Sequence, residues 1–142
     1  KYYVYQALFQ TGMGNDYVNW LDIWRENINM GMTTWAEMSD LSSSRSDCHA
    51  WGSSPNIELF RTVLGIESAA PGFKKVKIEP HLGNLTHISG SIPHPAGTVS
   101  ARYDKQGGSW KIAVNLPAGT PGNLVWKGKI YLLKPGENNL TL

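Results

Sequence analysis

The sequence predicts an α+β chain in which helices come first and an antiparallel β-sandwich follows. Three observations carry that expectation. Apolar residues recur at helical spacing as far as Leu64 and alternate with polar ones from Phe73 onward. Charge divides at the same place: residues 1–66 sum to −3 and residues 67–142 to +5, so the overall +2 is an average of unlike parts. Composition divides too, with all four Met and four of the six Trp in the first part and seven of the eight Pro in the second. We therefore expect two units, 1–66 and 67–142.

The bulk properties exclude several classes. With 41% hydrophobic and 17% charged residues the chain is not of disordered composition. No run of about 18 apolar residues is present, so no membrane span is expected. A single cysteine, Cys48, rules out an intrachain disulfide framework and a multi-cysteine zinc site, and no metal site is expected. We expect Cys48 to be packing material beside a helix, because nothing supplies it with an activating base.

The elements follow in order. Residues 1–11 read as a helix stopped by Gly12 and Gly14. The chain enters this apolar run with neither a starting Met nor an N-cap signal, which reads as the C-terminal part of a longer protein. Asn15 or Asp16 is placed to cap a second helix, in which Tyr17, Trp20, Leu21, Trp24 and Ile28 form one apolar stripe. The pair makes an αα-hairpin of the kind found in bundles and helical barrels. Residues 31–47 form a polar loop longer than the ~12–15 residues usual for structureless connections, and such loops are often functional. A third helix is expected from Ser54-Pro55 to Leu64, with Ile57, Phe60, Val63 and Leu64 on its apolar side and Gly65 as C-cap.

Beyond Pro71-Gly72 the alternation begins, Val76 and Ile78 facing one way and Lys75 and Lys77 the other. Strand-like runs recur near 86–92, 97–104, 109–116, 123–127, 129–133 and 138–142, separated by turns such as Lys127-Gly128. The lysines alternate outward, where they solvate the sheets and protect their edges. Nucleic-acid binding would need clustered basic residues with interleaved aromatics on one face, and is not expected. Asn84-Leu-Thr86 and Asn139-Leu-Thr141 match the glycosylation pattern, a match we read as accidental.

The chemistry-bearing residues gather between Trp35 and Trp51: Glu37, Asp40, Arg45, Asp47 and His49 lie between them. Acids, His and Trp on one loop suit sugar recognition, because hydroxyls need charged or polar partners while C–H faces stack on aromatic rings. Each also has a plain structural use: Asp47 can organise a turn, Arg45 can brace the loop, and His49 can hydrogen-bond beneath the following helix. A glycoside hydrolase further needs two carboxyl groups, whose spacing of about 5–5.5 Å or about 6.5–9.5 Å sets retention or inversion.

Gly31-Met-Thr-Thr-Trp-Ala-Glu37, then Ser46-Asp-Cys-His-Ala-Trp-Gly52 and the helix Pro55–Arg61, resemble the end of the catalytic domain of bacterial α-L-rhamnosidases, glycoside hydrolase family 78. Leu64-Gly-Ile66 through Val76-Lys-Ile-Glu-Pro80 resembles that family's passage from helical barrel to C-terminal sandwich. The resemblance implies that 1–66 are the last helices of an (α/α)6 barrel and that 67–142 are the C-terminal β-sandwich. It implies hydrolysis of terminal α-L-rhamnosides with inversion, and Glu37 as the general base that activates the attacking water. It places His49 on the sugar hydroxyls and makes Trp35 and Trp51 walls for the apolar face, with Asp47 and Arg45 as further substrate contacts. Ala36 stands immediately before Glu37 where many members carry an aromatic, and Trp35 comes one residue earlier.

The family's general acid lies upstream of anything matched here, so the isolated chain is expected to be inactive. No cofactor is implied, since two carboxyl groups and a water suffice. The implied partners are a carbohydrate substrate ending in rhamnose and the remainder of the parent polypeptide, which is expected to be periplasmic or secreted. Two other readings stand beside this one. In one, the parent shares the architecture but acts on another sugar, as a fucosidase-like enzyme does. Alternatively the sandwich is a non-catalytic carbohydrate-binding module with exposed Trp110 or Trp126 as platforms.

Overall fold

The computed structural model describes residues 1–142. Its helical part comprises α1 (Tyr2–Gln10), a 3-10 segment (Gly14–Trp20), α2 (Asp22–Asn29), short 3-10 turns at Leu41–Ser43 and Ala50–Ser53, and α3 (Ser54–Glu58), which runs on as a π-helical turn (Leu59–Val63). Eight strands follow: β1 (Ile66–Ser68), β2 (Val76–Ile78), β3 (His87–His94), β4 (Gly97–Gln106), β5 (Ser109–Leu116), β6 (Gly122–Trp126), β7 (Lys129–Leu133) and β8 (Gly136–Thr141). No helix is long and apolar enough to cross a membrane.

The strands form two four-stranded sheets, ordered β1-β2-β6-β7 and β3-β4-β5-β8. Neighbours are antiparallel except β2 and β6, which run parallel with Val76 opposite Gly122. Period-two alternation sends Val76, Ile78, Leu124, Trp126 and Leu133 inward from one sheet and Val99, Ala101, Tyr103, Ile112, Val114 and Leu116 from the other. The six longer strands fall where the alternation places them. β1 escapes sequence reading because three residues are too few to show a period.

Trp126 is only 8% exposed and stacks on the buried Tyr103 ring, their centroids 6.2 Å apart. Trp110 is half-buried and meets Trp126 edge-on at 5.6 Å. Trp126 is thus a core residue and no platform for a ligand, which removes half the motivation for a Trp-platform binding module.

Two helices depart from expectation. The second is not continuous: it begins as the 3-10 segment and restarts after Leu21, with no side-chain cap from Asn15 or Asp16. In 3-10 geometry residues i and i+3 eclipse, so Tyr17 and Trp20 both reach Tyr5. The Tyr5 and Tyr17 rings meet at right angles at 5.2 Å, and the Trp20 ring stacks on Tyr5 at 6.0 Å. The change of winding shifts the stripe, so that Asn27 is buried while Ile28 is 63% exposed.

In the third helix the π turn, closed by Leu64 N–H donating to the Leu59 carbonyl at 2.9 Å, inserts an extra residue. Ile57 and Phe60 consequently turn toward solvent, while Glu58 and Thr62 are buried beside Val63 and Leu64. Glu58 is satisfied there by an ion pair with Arg61 and by the Thr62 hydroxyl, which donates at 2.7 Å. Burying a carboxylate is tolerable only with such partners. Cys48 is a further correction: it is exposed rather than packed, because its loop leaves the helix cluster there.

The helical part joins the sandwich through Gly65, whose φ of +83° turns the chain out of the π turn and into β1. Glu79 N–H donates to the Gly65 carbonyl at 2.8 Å, and a Cβ at residue 65 would lie 2.3 Å from the Glu79 carbonyl carbon. The buried Tyr103 hydroxyl donates to the Leu64 carbonyl at 2.9 Å. Beside this seam Lys77 sits 3.0 Å from both Glu67 and Glu79.

Candidate functional site

The loop from Met32 to Ser53 contains no α-helix or strand, yet its two arms are held together. Glu37 N–H donates to the Ser46 carbonyl at 2.9 Å, His49 N–H donates to the Trp35 carbonyl at 2.8 Å, and the Thr34 hydroxyl donates to the Asp47 carbonyl. At its tip Asp40 caps a short turn by accepting from Ser42 N–H at 3.0 Å and from the Ser42 and Ser43 hydroxyls, which hold its carboxyl below the usual carboxylate range.

The far end of the loop is pinned to the helices. The Trp24 indole N–H donates to the Gly52 carbonyl at 2.7 Å. Gly52 also passes so close to the other arm that a Cβ there would stand 2.6 Å from the Ala36 carbonyl oxygen. Ala36 is itself buried, its carbonyl against the Gly52 backbone. Trp35 turns its ring, half-buried, into the cluster built on Tyr5, Tyr17, Trp24 and Val63.

This frame delivers Glu37 to a cleft of about 180 Å³ against the helices, lined also by Tyr2, Tyr3, Trp24, Asn27 and Trp51. The Glu37 side chain is 18% exposed and pairs with Arg45, itself 80% exposed. The guanidinium, first by its hydrogen bond and then by its charge with a smaller contribution from His49, holds the Glu37 carboxyl below the usual carboxylate range. Arg45 engages one carboxylate oxygen, Oε1, which leaves Oε2 to accept from a water or a hydroxyl. Trp51, 70% exposed, presents its indole to this cleft and to a neighbouring one of about 420 Å³ shared with Tyr2, Asn56 and Ile57.

Of the six residues named from sequence, the structure brings Glu37 and Trp51 to one cleft. Arg45 reaches that cleft's carboxylate, and His49 lies close enough to act on its charge. Asp47 is exposed, with no basic side chain within 4 Å of it, and Trp35 packs away from the cleft. Sequence reasoning missed Tyr2 and Asn27. The Asn27 Oδ1 is buried with no hydrogen-bond partner, and only the phase shift at Leu21 brings it to the cleft. An aromatic pair at the start of an apolar run was the one available sign for Tyr2.

Glu37 is the only carboxylate lining the cleft, and no group of three or more His, Cys, Asp or Glu residues is arranged to hold a metal. Chemically, the arrangement offers one ionised carboxylate with a free oxygen and an exposed indole beside it. That set can accept a proton from a bound water and present an apolar wall to a sugar ring.

Comparison with solved structures finds the same fold in α-L-rhamnosidases. The family 78 enzyme of Bacillus sp. GL1 superposes with a TM-score of 0.77 over 87% of this chain, at 24% identity. The Aspergillus terreus enzyme gives 0.75 over 84% at 22% identity, and the Streptomyces avermitilis enzyme, solved with L-rhamnose, gives 0.73 over 84% at 20%. The chain spans only 14–15% of the length of these proteins. A search of curated sequences finds no match. Residues 65–139, more than half of the chain, match the model for the bacterial alpha-L-rhamnosidase C-terminal domain, and the chain belongs to that family.

Proposed function

We propose that this chain is the C-terminal part of an inverting glycoside hydrolase that removes terminal α-L-rhamnose. Its residues 1–66 would close an (α/α)6 catalytic barrel, and 67–142 would be the sandwich that braces it. Glu37 is the general base, and the general acid comes from a part of the parent outside these residues. The observation that carries this reading is the Glu37 carboxylate, kept ionised by Arg45 on a loop walled by Trp51 in a chain of this family.

The shared fold covers 84–87% of the chain, so it extends beyond the sandwich into the helical part that bears Glu37. In the proposed step a water hydrogen-bonded to Glu37 Oε2 loses its proton to the carboxylate as it attacks the anomeric carbon. Arg45 and His49 keep the base deprotonated between turnovers, and Trp51 shields the apolar face of the sugar. The parent is periplasmic or secreted, where plant or microbial glycosides are met.

The experiment is hydrolysis of aryl α-L-rhamnoside and aryl α-L-fucoside by the full-length protein and by the 142-residue chain alone. The full-length protein is expected to release the aglycone from the rhamnoside, with inverted sugar as first product, and the isolated chain to release none. Preference for the fucoside would replace the sugar assignment. Turnover by the isolated chain would remove the need for an external acid.

A further inference from the structure

A third cleft, of about 350 Å³, lies at one end of the sandwich and shares no lining residue with the Glu37 cleft. Four stretches of chain wall it: Asn15 from the helical part, the 79–83 segment, the β4–β5 hairpin with Lys105 and Trp110, and the β6–β7 turn with Lys127. Its volume is at the lower end of the range for small-ligand sites. Lys105 and Trp110 are directly opposed across β4 and β5, so the ammonium stem and the half-buried indole share one face. Neither Lys105 nor Lys127 has an acidic group within 4 Å, whereas Glu79, the one carboxylate in the lining, is held by Lys77 at 3.0 Å. Asn15 accepts from Gly83 N–H at 3.3 Å through its side-chain oxygen, which leaves both amide N–H donors unspent.

The backbone at Lys127 adds an independent observation. Trp126 pairs with Lys129, so Lys127-Gly128 is a two-residue hairpin turn, with φ of +49° and +78°. That is a type I′ turn, whose first position favours Asn, Asp or Gly because a side chain with a longer branch is disfavoured at positive φ. A lysine there works against local preference, and it is one of the residues that line the cleft.

We propose that this cleft binds an acidic saccharide, with a hexuronate carboxylate between Lys105 and Lys127 and the sugar's apolar face against Trp110. Two unpaired ammonium groups select an anion, the exposed part of the indole selects a ring with a C–H face, and the Asn15 amide serves a hydroxyl. A nucleic acid would require a longer basic track with several stacking rings, and an acidic peptide would leave the indole and the amide without specific partners. The site uses none of the residues of the Glu37 cleft, so its test is separate from that of the hydrolase reading.

The test is a titration of the 142-residue chain followed by amide and indole NMR signals, with digalacturonate as probe and cellobiose, sodium acetate and a tetraglutamate peptide as controls. Digalacturonate is expected to move the signals of Lys105, Lys127 and the Trp110 indole N–H, less so as salt is raised. Lys127→Gly relieves the turn, so it should keep or raise the melting temperature while weakening binding about threefold. Lys105→Met should weaken binding to a similar degree, and the pair about tenfold, the scale of partly screened ion pairs. The proposal is overturned if digalacturonate leaves these signals in place, or if acetate, cellobiose or the peptide moves them as far. It is equally overturned if Lys127→Gly binds as the parent does.

Discussion

Glu37 and Arg45 set the chemistry of the first cleft between them. A general base must be deprotonated at working pH, and the guanidinium favours that form by direct hydrogen bonding. The sign of its effect on activity follows. Arg45 lowers the Glu37 pKa, so with Glu37 as the proposed base the acid limb of kcat/KM is expected lower in pH than for an unassisted glutamate. Arg45→Met should move that limb to higher pH while leaving the alkaline side in place, as read from a pH–rate profile of the full-length protein. An unmoved acid limb would mean that Arg45 is only a loop brace. His49, which adds a smaller effect of the same sign, should shift the limb less when replaced by Gln. The two tryptophans expected to flank the site have different work: Trp51 is open to solvent, and Trp35 anchors the loop in the helix cluster.

At the scale of elements, the seam between helix and sandwich matters most, because it fixes where the Glu37 loop stands relative to the sheets. Gly65 meets two demands there, a positive φ and the backbone approach of Glu79. Gly65→Ala should therefore cost about 1–3 kcal/mol, from strain at positive φ together with overpacking. Thermal or urea unfolding would measure it, and a loss within about 0.5 kcal/mol would show that the seam yields easily. Much of the element order was legible: the six longer strands follow from alternation, Gly65 from its place after an apolar helix end, and the loop from its polarity and length. The 3-10 segment and the π turn were not, because both alter winding without altering composition. Their effect is local but consequential, since the first puts Asn27 rather than Ile28 inside and the second buries Glu58 in place of Ile57. Which loop residues meet was likewise hidden, since hydrogen bonds such as Glu37 N–H to Ser46 join arms nine residues apart with no periodic signal.

Across the whole molecule, the division in charge coincides with a division of structure. The −3 segment carries the Glu37 loop and only a small core of four buried hydrophobics, while the +5 segment shares in a core of fourteen. Tyr3, Val4, Ile28 and Met30 are all exposed on the helical part. In the proposed parent these residues pack against the preceding barrel helices, which would also supply the general acid opposite Glu37. That arrangement makes the carboxylate the pivot of the account, and one substitution addresses it. Glu37→Gln in the full-length protein keeps size and hydrogen-bonding shape but removes the proton acceptor. Turnover of aryl α-L-rhamnoside should fall by about 10²–10⁴-fold, with rhamnose binding by calorimetry essentially unchanged. Activity retained near the parent level would contradict the assignment of Glu37 as the base.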